Sequence, residues 1–202
     1  METIGHDMLV WISAWDRAVF FWINDGWANP ASDVVIGEAT WLGNGVVLAA
    51  ITLPALWTFD RPRFWPHVFL LCLALVLSGV VGHFVKVLVH RPRPLKDMAD
   101  LIAAGQASIH VMWQPLRENS MPSGHAETAF AVATSLGFLY RRWALMFFSV
   151  AVLTGLSRVY VGAHFPTDVV VGALIGVSGA IVSYKVSPRV RPRWWPEQQA
   201  RG

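Results

Sequence analysis

Residues 65–89, WPHVFLLCLALVLSGVVGHFVKVLV, constrain the fold more than any other stretch, because Lys86, close to the end, is their only charge. At about 1.5 Å of helical rise per residue, such a run covers the ~30 Å hydrocarbon core of a bilayer. Segments 34–57, 123–140, 143–163 and 165–186 have the same character. Residues 8–24 are a sixth candidate, interrupted by Asp16 and Arg17. A charge at a span's centre costs about 2.5–3.5 kcal/mol on insertion scales. Trp11, Trp15 and Trp22 share one helical face there, so this segment either spans or lies in the interface. The predicted fold is all-α, one polytopic membrane domain over 1–202 with five clear spans and a less certain first segment. Composition agrees, with 14% charged residues against about 25% in soluble domains. Cys72 is the sole cysteine, which excludes an intrachain disulfide and a cysteine metal site. No Lys or Arg precedes Arg17, so no secretory signal peptide is expected.

Charge placement sets the orientation. Arg61 and Arg63 join two spans, Arg141 and Arg142 join two others, and Lys185, Arg189, Arg191, Arg193 and Arg201 follow the last. Alternating spans put all of these on one side, which the positive-inside rule makes cytosolic. Trp57, Trp65, Trp143, Trp194 and Trp195 gather at the same segment ends, as an aromatic belt requires. Segregation of this kind speaks against a nucleic-acid surface, despite a net charge of +3. The expected location is the cell (inner) membrane, with 187–202 as a cytosolic basic tail and 90–122 as an outer-face loop or lid.

Three polar groups then fall on the outer side. They are KVLVHRPRP with Lys86 and Arg93, PSGH from Pro122 to His125, and SRVYVGAHFPTD with Arg158, His164 and Asp168. Each has a plainer reading alone. Lys86, Arg91 and Arg93 could snorkel to headgroups, Pro122 and Ser123 could start a helix, and Asp168 could cap one. Arg158 lies inside an apolar segment and requires a partner or a watery cavity. His83 is expected in packing or behind the site, and no role is assigned to His67, His90 or His110. Taken together, three cations, two histidines and one carboxylate at one bundle end would repel one another unless they shared an anionic occupant. A phosphate fits, held also by Ser123, the backbone of Gly124 and the positive end of the following helix.

In this order, Lys-x6-Arg-Pro, Pro-Ser-Gly-His and Ser-Arg-x5-His-x3-Asp resemble the three-part signature of the phosphatidic acid phosphatase type 2 superfamily. The match is complete over 86–168. The resemblance implies a six-helix membrane fold and a phosphohistidine formed on His164. It implies that Asp168 orients His164, one helical turn away, and that His125 is the proton donor to the leaving group. Lys86, Arg93, Ser123, Gly124 and Arg158 are then the phosphate-binding residues. With Asp168 the one carboxylate expected at the site, no metal and no cofactor are predicted. The substrate is expected to be a membrane lipid phosphate or diphosphate, with undecaprenyl diphosphate ahead of phosphatidylglycerophosphate, phosphatidic acid and lipid A phosphates because the chain is compact. A lipid-to-lipid phosphotransferase shares the same chemistry. A transporter or channel would need polar residues running on to the inner side, and a haloperoxidase-like enzyme would be expected in a soluble protein.

Overall fold

A computed structural model describes residues 2–190, with side chains described for 10–187. The long helices are α1 (Glu2–Asn24), α2 (Gly45–Phe59), α3 (Phe64–Val89), α4 (Gly124–Leu139), α5 (Ala144–Tyr160) and α6 (Pro166–Val190). Among the described residues there is no strand. Helix α4 is the axis of the bundle and packs against α6, α5 and α3. Its sequence, GHAETAFAVATSLGFL, supplies small side chains on nearly every face, and the run from Ala131 to Gly137 is buried. Small residues let backbones approach closely where lipid offers no hydrophobic drive for helix association. Gly172 and Gly176 of α6 lie directly against the backbone of Ser123 and Glu127, and Gly179 against Ser78 and Ala74 of α3.

Among the described residues three stretches are long and apolar enough to cross a membrane, Arg61–Ala103, Arg141–Tyr160 and Pro166–Ser187, and a bent pair, counted as one span, makes a fourth. The expectation of a six-helix transmembrane bundle, with five clear spans and a less certain first segment, is therefore met in part. Helix α4 has 16 residues, about 24 Å by helical rise, and being enclosed by protein it does not need a lipid-facing apolar surface.

The continuous span expected over 34–57 is instead broken. Pro30–Gly43 meets Gly45–Phe59 at 78°. Residues Pro30–Ser32 form one helical turn capped by Asn29, Asp33–Gly37 are π-helical and Glu38–Gly43 are 3₁₀. Asn44 then starts α2 afresh, its side chain accepting from the N–H groups of Val46 and Val47. An N-cap of this kind stabilises a new helix rather than continuing an old one. The last span, Pro166–Ser187, matches the expected 165–186, and its helix α6 runs on to Val190. Lys185 is exposed at that end. The side chains of Arg189, Arg191, Arg193, Trp194, Trp195 and Arg201 lie outside those described.

The two bundle ends differ in character. One carries Arg61, Arg63, Arg141 and Arg142 in two 3₁₀ turns, with Trp57, Trp65 and Trp143 all exposed. There the hydroxyl of Tyr140 donates to Asp60 at 2.9 Å and lies 3.2 Å from His67 Nδ1, tying together the ends of α2, α3 and α4. The other end gathers the start of α4, the end of α5, the start of α6 and the connection 90–123. That connection is pinned rather than free: Arg93 N–H donates to Arg117 O, Ser120 N–H to Arg91 O, and Asn24 exchanges hydrogen bonds with the backbone of His110. Its short helices are Pro94–Asp97 and Ala99–Ala103.

Candidate active site

Helix α3 ends at His90, whose left-handed backbone (φ 47°) turns the chain out of the helix. Lys86 stays on the last turn, and the extended stretch that follows aims Arg93 across the bundle end. Arg93 Nε donates to Glu118 O at 2.7 Å and Nη1 to Ala163 O at 3.0 Å, which leaves Nη1 3.3 Å from His164 Nε2. Burial pulls the Arg93 guanidinium below its ordinary value, and the negative charge of Asp168 opposes that pull.

Ser123 caps α4 from extended backbone, and its N–H donates to Asp168 O at 3.0 Å, so the first turns of α4 and α6 are joined directly. Gly124 faces open space, with nothing within 4 Å of where a Cβ would stand, and His125 follows half-buried. The end of α5 presents Arg158, 7% exposed, whose Nη1 donates to Thr40 Oγ1 of the bent segment. Gly43 of that segment packs on His125 and Thr154. Gly162, at φ +75°, makes the turn that returns the chain to His164.

His164 is 2% exposed. Arg93 carries only donors, so Nε2 of His164 accepts, which puts the ring proton on Nδ1. Nδ1 faces Asp168 Oδ2 at 3.7 Å, too far for the hydrogen bond expected from the four-residue spacing. The reason is that Asp168 is already engaged: Oδ2 accepts from Ser120 Oγ at 2.5 Å and Phe165 N–H at 2.8 Å, and Oδ1 from Arg91 at 2.8 Å. Burial above all, helped by the positive charges of Arg93 and Arg158, lowers the His164 pKa from 6.5 to about 4.

Every predicted site residue thus reaches this end of the bundle. His125 is within electrostatic reach of Arg158, His164, Arg93 and Lys86. His83 is the exception among the neighbours considered. It is exposed, edge-on to Phe84, and takes no part. Four participants were not legible as such: Arg91, Ser120, Thr40 and Asp16. Asp16 is fully buried and bonded to Arg91 and Thr167. The signal that pointed to it was a charge in the middle of an apolar segment, which requires a partner. Glu127, 8% exposed, lies against Gly82 one turn below Lys86, a further carboxylate the motifs did not announce. Among the described residues no three His, Cys, Asp or Glu side chains are grouped as a metal site.

Three buried polar atoms have no hydrogen-bond partner within the protein here: Ser123 Oγ, Arg158 Nε and His164 Nδ1. They come from two of the three signature blocks, and a buried polar atom left unpaired costs about 1–3 kcal/mol.

A family model matches residues 67–192, the PAP2 superfamily. The chain belongs to the PAP2 superfamily. It is 26% identical over 149 residues to the undecaprenyl-diphosphatase BcrC of Bacillus subtilis, covering 73% of this chain and 72% of that protein. It is 30% identical over 129 residues to a lipid A 1-phosphatase of Rhizobium johnstonii, covering 60% of this chain and 50% of the relative. Among solved structures, Aquifex aeolicus LpxE superimposes with a TM-score of 0.69 at 33% identity, over 84% of this chain and 94% of that one. With its apolar spans and phosphatase relatives, this PAP2 member is a membrane lipid phosphatase, a hydrolase.

Proposed function

We propose that the protein hydrolyses a phosphate from a membrane-anchored lipid through a phosphohistidine on His164, and that its substrate is undecaprenyl diphosphate, released as the monophosphate. The convergence of Ser123, Arg158 and His164, each with an unpaired buried polar atom beside Lys86 and Arg93, carries this reading. In the first step Nε2 attacks phosphorus, and the bond to the leaving oxygen breaks as His125 donates a proton to it. Negative charge on the three equatorial oxygens is met by Lys86, Arg93 and Arg158, with Ser123 Oγ and the Gly124 N–H completing the hold. Asp168 stabilises the positive charge that develops on His164. Water then attacks the phosphohistidine as His125 takes its proton, and inorganic phosphate leaves.

The substrate assignment rests on the BcrC likeness, which covers nearly three-quarters of both proteins. A second reading, a lipid A 1-phosphate, is favoured by the higher identity to the Rhizobium johnstonii enzyme over a shorter stretch. By the positive-inside rule the arginine-bearing end faces the cytosol and the site the outer side in this proposal, with six helices crossing and the C-terminus inside. A transporter is not favoured, since the named relatives are phosphatases.

The test is phosphate release by purified protein from undecaprenyl diphosphate, lipid A 1-phosphate, phosphatidylglycerophosphate and phosphatidic acid, run beside His164→Ala. We expect the diphosphate to be turned over fastest and the variant to lose about 10³-fold or more. Equal rates for parent and variant would refute the catalytic assignment, and preference for the lipid A substrate would install the second reading.

A further inference from the structure

We propose that the buried Asp16–Arg91 pair is a positioning device for Asp168, which makes α1 part of the catalytic machinery; the inference rests on the phosphohistidine reading above. Arg91 lies in the spacer between Lys86 and Arg93, where a headgroup-seeking side chain would be expected to point outward. It turns inward instead, its guanidinium 4.2 Å above the ring of Phe165. Nη1 donates to Asp168 Oδ1 at 2.8 Å and to Thr167 Oγ1 at 2.7 Å, while Nη2 donates to Asp16 Oδ2 at 2.5 Å.

Asp16 closes the ring. Its Oδ1 accepts from the N–H of Thr167 at 2.9 Å and its Oδ2 from Thr167 Oγ1 at 2.6 Å. Both carboxylates are fully buried, and the Arg91 side chain is 20% exposed. One planar cation therefore spans two anions on different helices, a geometry that lysine lacks. The neighbouring Arg17 adds a second tie from α1, to Asp97 at 2.8 Å.

The consequence for Asp168 is geometric. With Oδ1 committed to Arg91, only Oδ2 is turned toward His164, and Ser120 Oγ and the Phe165 N–H hold that oxygen from the other side. Nδ1 of His164, 3.7 Å away, therefore faces a carboxylate that cannot swing away. Asp16 and the two terminal nitrogens of Arg91 are bonded to each other, to Thr167 and to Asp168. The device therefore acts on the chemical step rather than on substrate binding, in the way that outer-shell partners tune a reacting group.

The experiment measures kcat and KM of the full chain in detergent, on the lipid the parent hydrolyses fastest, for Asp16→Asn, Arg91→Gln, Asp168→Asn and Arg91→Gln/Asp168→Asn. Expected are falls in kcat of about 10–100-fold for Asp16→Asn and Arg91→Gln, with KM within about twofold of the parent. In the Asp168→Asn background Arg91→Gln should cost less than about threefold more, because its target is gone. A merely structural role predicts the full factor in both backgrounds, and that result overturns the proposal, as does a parent-like kcat for Arg91→Gln. Should Arg91→Gln not fold, Arg91→Lys keeps the charge without the two-ended reach; a loss of about tenfold supports the brace and parent-like kcat overturns it. His164→Ala separates the two levels. If that variant is dead while the Arg91 variants are parent-like, the brace alone is wrong; if it matches the parent, the phosphohistidine reading falls and takes the brace with it.

Discussion

A methyl group added at Gly176 tests whether the α4–α6 seam sets the distance between the two halves of the site. A Cβ at this position of α6 would stand 2.2 Å from Glu127 O and 2.9 Å from Ala131 N of α4. Both are backbone atoms inside a helix, so no side chain can rotate away to make room. Ordinary contact begins near 3.4 Å, leaving a shortfall of about 1.2 Å, and α6 must shift by roughly that amount. Overpacking of this kind costs about 1–3 kcal/mol, which leaves most domains folded. The shift carries Asp168 and the attached His164 away from Ser123, Gly124 and His125, and strains the Ser123 N–H to Asp168 O bond of 3.0 Å. Since 1 Å of misplacement can cost about 10²-fold in rate, Gly176→Ala should lose about two orders of magnitude in kcat/KM. The assay is phosphate release by the purified variant, paired with its thermal unfolding curve. Gly45→Ala is the control, because nothing lies within 4 Å of its Cβ position. A Gly176→Ala enzyme within about threefold of the parent, with unchanged melting, would refute the idea that this seam holds the site in register.

Three further outcomes are expected. The proposed nucleophile is the neutral ring of His164, whose pKa is lowered to about 4, so kcat/KM, corrected for substrate ionisation, should fall as pH drops through that region, with an opposite limb at higher pH where His125 loses the proton it has to donate; an acid limb centred near 6.5 contradicts the burial argument. Tyr140→Phe removes the hydrogen bond to Asp60 at the far end of the bundle, and should lower unfolding stability by about 1 kcal/mol with kcat unchanged, as checked by melting and turnover on the same preparation. With charge neutralisation assigned to Lys86, Arg93 and Arg158 in the proposed mechanism, exhaustive EDTA treatment should leave hydrolysis undiminished; recovery only on adding magnesium would count against that assignment.

How much was legible from the residues depended on whether the relevant force was local. That Lys86, Arg93, Ser123, Gly124, His125, Arg158, His164 and Asp168 meet at one bundle end was readable, because fixed spacings place them at segment ends and alternating helices bring those ends together. The break at Gly43-Asn44-Gly45 was also written in the chain, as a glycine and an N-cap, but the apolar count over 34–57 masked it. Asp16 is the instructive case. Its charge marked the first segment as anomalous, yet its partner Arg91 lies 75 positions away and looked like a headgroup anchor. The missing hydrogen bond between Asp168 and His164 has the same origin, since a four-residue spacing says the two groups are close and says nothing of Ser120 and Arg91 competing for the carboxylate.

The amino-acid order alone determined that this chain is helical, enters a membrane and carries three phosphate-directed motifs at one end. Apolar run length, charge placement and motif spacing are properties of short segments. Tertiary structure alone decided which carboxylate oxygen turns toward His164, that Arg91 reaches two buried carboxylates, and how near α4 and α6 stand. Those depend on pairings between distant residues and on glycine contacts across a seam, where the packing of one helix fixes what another can do.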